Sequence, residues 1–174
     1  MLRIIHLLLA LAVVFLSGCD FVTGKVSLSD PRLAPMLQAM AAVDRAALGF
    51  TPIPTNAVVY LDSRPRAPRY DAMLHVYTPA LHAGVHRIIE FRKTATGYQW
   101  ILEQEIHPGP KTFIQSGHTA HEQIFITYDT TGISGVTPNK LHVHYDGPDS
   151  RIASGKELTL DEVRPILAEW SQKR

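Results

Sequence analysis

The feature that most constrains the fold is a series of strand patterns between residues 57 and 145, with no helix pattern among them. Apolar, β-branched and aromatic residues are frequent in these segments, as is typical of strands. In the last segment, 140–145, polar and apolar residues alternate, because successive side chains of a strand point to opposite faces. The segments are 57–61, 72–77, 87–92, 98–106, 123–128 and 140–145. Parallel neighbours need long, usually helical, crossovers, so the pattern predicts an antiparallel meander of about six strands.

Helix signals flank this series on both sides. Asp30 and Pro31 are typical of a helix start, and Gly49 is typical of a helix end. Thr159 and Glu162 have the spacing of a capping box for a C-terminal helix. The predicted fold class is therefore α+β: an antiparallel meander sheet with an N-terminal and a C-terminal helix. The segment 94–97 is expected to form a hairpin turn, and 107–121 and 130–139 are expected to be loops.

The N-terminus carries a different signal. Arg3 precedes an apolar run over residues 7–16, which is shorter than the roughly 20 residues needed to span a bilayer. A basic start, a short apolar run and small residues after it are typical of a secretory signal peptide. The run ends in Leu16, Ser17, Gly18 and Cys19, which resembles the lipobox of bacterial lipoproteins.

The resemblance implies attachment of diacylglycerol to the Cys19 sulfur and cleavage between Gly18 and Cys19. It divides the chain into a signal peptide over 1–18, a lipidated tether over 19–29 and a single α+β domain over 30–174. Asp20 resembles a signal for retention in the inner membrane, which favours the inner over the outer membrane. Cys19 is the only cysteine, so no disulfide can form within the chain.

Composition excludes several classes of partner. Removal of residues 1–18 takes away Arg3 and no acidic residue, leaving 16 basic and 16 acidic residues in 156. A neutral domain gives no electrostatic reason to bind nucleic acid. It also gives no reason to expect a polybasic contact with anionic lipid. The basic loop over 64–69 is interpreted mainly as a solvated connection, with an acidic partner as the alternative.

Histidines are the one compositional oddity, and eight of the nine follow Cys19. His142 and His144 alternate along one predicted strand, so they share a face and could contact one metal ion. His118 and His121 could complete such a site, with Glu122 or His75 as further ligands. Zinc or copper suits nitrogen ligands of this kind. The alternative is that the two strand histidines face solvent on a half-buried sheet, and a third possibility is proton transfer.

Signals for catalysis are weaker. The pair His142 and His144 resembles a fragment of the histidine-triad nucleotide hydrolases, but Asp146 stands where the third histidine belongs. Ser116 is close to His118, yet no nucleophile elbow surrounds it. Glu103 and Glu105 share a strand face and alternate with other residues as in an ordinary exposed strand.

These observations favour a membrane-anchored periplasmic lipoprotein that acts as a non-enzymatic binding or envelope-assembly accessory, without a cofactor. The expected partners are the membrane, through Cys19, and an envelope protein. The alternatives are a histidine-based zinc or copper protein and a small envelope hydrolase.

The lipobox makes a direct prediction. Cys19→Ala removes the thiol that accepts the lipid, so lipid labelling is expected to disappear and the chain to remain uncleaved or soluble. Mass spectrometry of the mature N-terminus tests the assignment. An unmodified Cys19 in a chain that begins at another residue would refute it.

Overall fold

The computed structural model describes residues 24–78, 84–148 and 157–172. The predicted signal peptide, Cys19 and Asp20 lie outside the described residues. Eight strands form one antiparallel sheet, and each strand lies beside its neighbours in the chain. The strands are β1 Gly24–Val26, β2 Val58–Asp62, β3 Ala72–Tyr77, β4 His86–Thr94, β5 Gly97–Gln115, β6 His118–Asp129, β7 Leu141–Asp146 and β8 Glu157–Leu158.

The antiparallel meander matches the expectation, but about six strands is too low a number. The two additional strands, β1 and β8, lie at the sheet edges and have three and two residues. Such short segments carry too little alternation to be recognised in a sequence. Because β1 pairs with β2 from Gly24 onward, the folded domain begins earlier than the predicted tether boundary at residue 29.

The segment 107–121, expected to be a loop, instead extends β5 and β6 into a long hairpin. Pairing of β5 with β6 shifts register between Pro108 and Thr112, which accommodates the glycine and proline residues that suggested a loop. The flanking strands end earlier, since β4 reaches only to the level of Ile106 and β7 to that of Gln123. Residues 109–121 therefore form a two-stranded arm beyond the sheet.

The N-terminal helical segment is shorter than the pattern over 30–48 suggested. A 3-10 turn, Pro31–Leu33, precedes helix α1, Ala34–Ala41. The Asp30 carboxylate caps this turn by accepting from the Arg32 N–H at 2.9 Å. The chain then leaves the helix, and the Asp44 carboxylate accepts from the Ala47 N–H at 3.1 Å. Local bonds of this kind offer the backbone an alternative to helix.

The C-terminal helix α2, Leu160–Gln172, begins at the predicted capping box. The Thr159 N–H donates to the Glu162 carboxylate at 2.7 Å, and the Glu162 N–H donates to the Thr159 hydroxyl at 3.3 Å. Gly49, with φ of 87°, lies against Leu160, where a Cβ would come within 2.6 Å of a Leu160 methyl carbon. This glycine therefore allows α2 to pack closely on the loop after α1.

One face of the sheet is covered by the helices and forms the core with them. The buried apolar residues include Leu33, Met36 and Met40 from the N-terminal segment and Val163 and Trp170 from α2. From the sheet they include Val59, Leu61, Leu74, Val76, Ile89, Phe91, Ile124, Ile126 and Val143. In the part of the chain described here, no helix is long and apolar enough to cross a membrane.

Candidate functional site

The predicted histidine pair lies on the outer face of β7. His142 Nδ1 is 2.5 Å from a carboxylate oxygen of Glu157, and its Nε2 is 3.3 Å from the Thr137 carbonyl oxygen. His144 lies beside Phe125, with ring centroids 6.0 Å apart. The two imidazoles share a face as expected, and both ring nitrogens of His142 contact protein oxygen atoms.

The other predicted metal ligands are not brought to this pair. His144 is opposite Phe125 in the register, and His121 precedes Phe125 by four residues, or about 13 Å of strand. His118 is farther along the arm. His75 is four strands away from His142, about 19 Å at ordinary strand spacing. Among the described residues, no three His, Cys, Asp or Glu side chains are grouped so that they could hold a metal ion.

Glu122, the remaining predicted ligand, is buried rather than directed at the histidines. It accepts a hydrogen bond from the Tyr145 hydroxyl at 2.9 Å. It also lies within reach of the Lys111 N–H, at 3.3 Å. Glu122 therefore joins the base of the arm to β7.

Glu103 and Glu105 are not on an exposed face, contrary to the expectation from their alternation. Both side chains point to the core face of β5, and both residues are at most 2 % exposed. Arg87 on β4 is directly opposite Glu105. Alternation along a strand separates its two faces, but it does not tell which face is covered. Here the covered face holds charged residues.

These side chains form a buried ionic network with Arg45, which follows α1. The Arg45 guanidinium makes a two-pronged contact with Glu103, in which Nε lies 2.6 Å from one carboxylate oxygen. One Arg87 nitrogen is 3.7 Å from Glu103, and another is 2.9 Å from Glu105, although this contact lacks hydrogen-bond geometry. Two guanidiniums thus face two carboxylates, and their charges cancel.

Burial is the largest influence on the pKa of Glu103. It raises the pKa of this carboxyl above the ordinary 4.5, and the guanidiniums of Arg45 and Arg87 oppose that shift. The arginine contacts are therefore needed to keep a buried carboxylate charged.

Arg87 and His107 connect the network to the exterior. Arg87 donates to the Thr51 carbonyl oxygen at 2.5 Å and also to the Thr51 hydroxyl. Its Nε has no hydrogen-bond partner among the described residues. His107 Nε2 is 2.9 Å from the second oxygen of Glu105. Glu105 therefore holds an arginine and a histidine side by side.

A cleft of about 350 Å³ opens beside these two side chains, and we name it the α2 cleft. Its walls are mainly apolar, and α2 forms one side. The lining residues are Thr51, Pro54, Thr78, Val85, Arg87, His107, Pro108, Leu167, Ala168, Trp170 and Ser171. Apolar walls with a few fixed polar groups are typical of small-molecule sites.

A second cluster lies on the outer face, where β3 meets β4. His75 Nδ1 and His86 Nε2 are 3.1 Å apart, which allows one ring to donate and the other to accept. His86 stacks on Tyr77 with ring centroids 4.3 Å apart, and Tyr77 meets Tyr60 edge to face. Burial lowers the pKa of both histidines below 6.5, and the charge of His75 adds to the effect on His86.

Sequence reasoning missed the α2 cleft and the pairing of His75 with His86. The available signal was Arg87, which occupies the same strand face as Ile89 and Phe91 and so lies on an apolar face. The histidine pair depends on the cross-strand register, in which His75 is opposite Ile88 and His86 is opposite Tyr77. A sequence does not supply that register. No family model, curated protein or solved structure matches this chain.

The network predicts a large effect from the loss of one carboxylate. Glu103→Ala leaves the mostly buried Arg45 without its partner, so the free energy of unfolding is expected to fall by about 3 to 5 kcal/mol. Urea denaturation measures this change. The double variant Arg45→Met with Glu103→Leu removes both charges and is expected to recover much of the loss. A loss of under about 1 kcal/mol in Glu103→Ala would contradict a stabilising role for the pair.

The outer-face histidines predict a pH dependence of stability. Their folded pKa lies below that of the unfolded chain, so the unfolded chain binds protons first as pH falls. The contribution of these two histidines to stability is therefore fully present above about pH 6.5, and it is expected to decline below that pH. In denaturation between about pH 7 and 5, His86→Phe should show a shallower decline and keep the stacking on Tyr77. The control His118→Phe, on the exposed arm, should leave the slope unchanged; equal slopes in all three proteins would refute the assignment.

Proposed function

We propose that this chain is a lipoprotein anchored through Cys19 on the periplasmic side of the membrane, with the inner membrane favoured by Asp20. We further propose that its domain binds a small, mainly apolar molecule in the α2 cleft. The observation that carries the binding proposal is the cleft itself, in which apolar walls converge on Arg87 and His107. The anchor rests on the lipobox resemblance alone.

The charges beneath the cleft limit the class of ligand. Arg87 is next to Glu103 and Glu105, and Arg45 compensates the remaining carboxylate charge. A multiply charged anion would meet no excess of positive charge there. A neutral or weakly polar molecule fits better, because its body contacts the apolar walls and one polar group faces Arg87 or His107.

Rigidity also supports a binding site. Arg87 is fixed by Thr51 and Glu105, and His107 is fixed by Glu105, so neither side chain has to be ordered when a ligand arrives. Preorganisation of this kind reduces the entropic cost of binding.

The pairing of Glu105 with His107 supports a second candidate, a small hydrolase. A carboxylate that orients an imidazole is one part of many acyl-transfer sites. Such a site also needs a nucleophile, and the serine that lines the cleft is Ser171. Its hydroxyl donates to the Ala168 carbonyl oxygen at 2.7 Å. Since that hydroxyl is engaged with its own helix, the arrangement favours binding over hydrolysis.

The α2 cleft predicts a binding defect when it is filled. Ala168 is exposed and lines the cleft, so Ala168→Trp occupies ligand space without entering the core. N-phenyl-1-naphthylamine, an apolar fluorescent probe, is expected to bind the wild-type chain, and its affinity should fall roughly tenfold or more in the variant. Fluorescence titration measures both affinities.

The matched control is Arg164→Trp, one turn away on the same helix at a position that does not line the cleft. It should bind the probe as the wild-type chain does. Equal affinity in wild type and Ala168→Trp, with both proteins folded, would exclude the α2 cleft as the site. Hydrolysis of p-nitrophenyl esters that is lost in His107→Ala would favour the hydrolase instead.

A further inference from the structure

The fold collects basic residues at one end of the sheet. The β2–β3 connection carries Arg64, Arg66 and Arg69, and the end of β4 carries Arg92 and Lys93. Antiparallel neighbours place these two segments side by side, because β4 pairs with β3 up to Phe91 opposite Ala72. We name these five residues the basic end.

This end has a defined structure. Within the connection, Arg66 and Tyr70 form a bridge in which each backbone N–H donates to the carbonyl oxygen of the other. Arg92 donates to the Pro68 carbonyl oxygen at 3.0 Å and so ties the connection to β4. The cations are thus held on a fixed surface.

Two acidic residues at this end are buried, whereas most of the cations are exposed; a third acidic residue, Asp71, is half-buried and its carboxylate accepts from the Lys93 N–H at 2.7 Å. Asp62 and Glu90 are at most 3 % exposed, and they pair with Arg64 and Arg69 at 2.7 and 2.8 Å. The side chains of these two arginines remain about half exposed. Arg66 and Lys93 are exposed and form no ion pair with the described residues. The outward surface is therefore basic, although the mature chain as a whole is neutral.

The chain enters the fold at the same end. Gly24 in β1 is opposite Leu61, and β2 ends one residue later at Asp62, where the basic connection begins. Five Cα–Cα steps separate Gly24 from Cys19, so the two are at most about 18 Å apart. A lipid on Cys19 would hold the basic end close to the headgroups.

We propose that the basic end docks on anionic phospholipid headgroups of the membrane that holds Cys19. The inference rests on the proposed lipid anchor, which sets the distance, whereas the surface charge supplies the attraction. Docking of this end directs the opposite end of the sheet away from the membrane. That end carries the arm and the residues Thr78, Val85 and His107 of the α2 cleft.

The orientation can be tested with the full lipidated protein in vesicles. Lipid occupies the Cys19 sulfur, so an introduced cysteine is the only free thiol. Thr96→Cys, in the hairpin at the basic end, and Thr119→Cys, on the arm, each receive a fluorescent label. Quenching by spin-labelled headgroups is compared between phosphatidylcholine vesicles and vesicles with about 30 % phosphatidylglycerol.

The expected result is quenching at position 96 that increases several-fold with phosphatidylglycerol, and little quenching at position 119. About 1 M salt, which shortens the screening length to about 3 Å, should abolish the increase. The double variant Arg66→Glu with Lys93→Glu should also lose the increase in quenching. The control Lys111→Glu with Arg164→Glu changes the net charge by the same amount and leaves the basic end intact, so it should keep the increase.

Two outcomes overturn the proposal and are distinguishable. If mass spectrometry shows no lipid on Cys19, the proposed anchor fails and this inference fails with it. If the acylated protein shows quenching at position 96 that is independent of phosphatidylglycerol, or equal to that at position 119, the anchor stands and the docking surface is excluded. If the basic end binds an acidic protein and not lipid, the vesicle experiment gives this second outcome.

Discussion

The buried ionic network on the inner face of β4 and β5 is the interaction on which the rest of the structure depends. Arg87 and Glu105 are cross-strand partners, and Arg45 reaches Glu103 from the segment that follows α1. Because each buried charge needs its partner, the network requires this segment to lie over the middle of the sheet. Apolar packing alone would tolerate several positions of the segment, whereas a two-pronged guanidinium contact specifies one.

The α2 cleft follows from the same requirement. Arg87 also bonds to Thr51, which positions one wall of the cleft, and Trp170 of α2 completes the opposite side. The charges of the residues beneath the cleft cancel, so the proposed site offers no excess of positive charge to an anion. His107 in the cleft wall contacts Glu105 as well, so the proposed binding site shares a residue with the buried network.

Local patterns predicted the parts of the fold that local chemistry determines. Strand-forming residues between turn signals located six strands, and the capping box of Thr159 and Glu162 located the start of α2. Alternation did not reveal that Glu103 and Glu105 face the core, since it separates the two faces of a strand and does not tell which face is covered. The pairing of His75 with His86 depends on register between strands. These features are non-local, and for this reason the candidate site was harder to predict than the fold.

The net charge shows the same limit of prediction from sequence. A count of 16 basic and 16 acidic residues predicted no electrostatic surface, but the fold separates the charges that the count averages. Carboxylates such as Asp62 and Glu90 are buried as partners of Arg64 and Arg69, whereas these guanidiniums and Lys93 remain exposed at one end. Because each antiparallel strand crosses the sheet, that end and the cleft are separated by the strand length, about 20 Å for the six residues of β3. The proposed membrane docking and the proposed ligand binding therefore use opposite ends of one small domain and do not compete for the same surface.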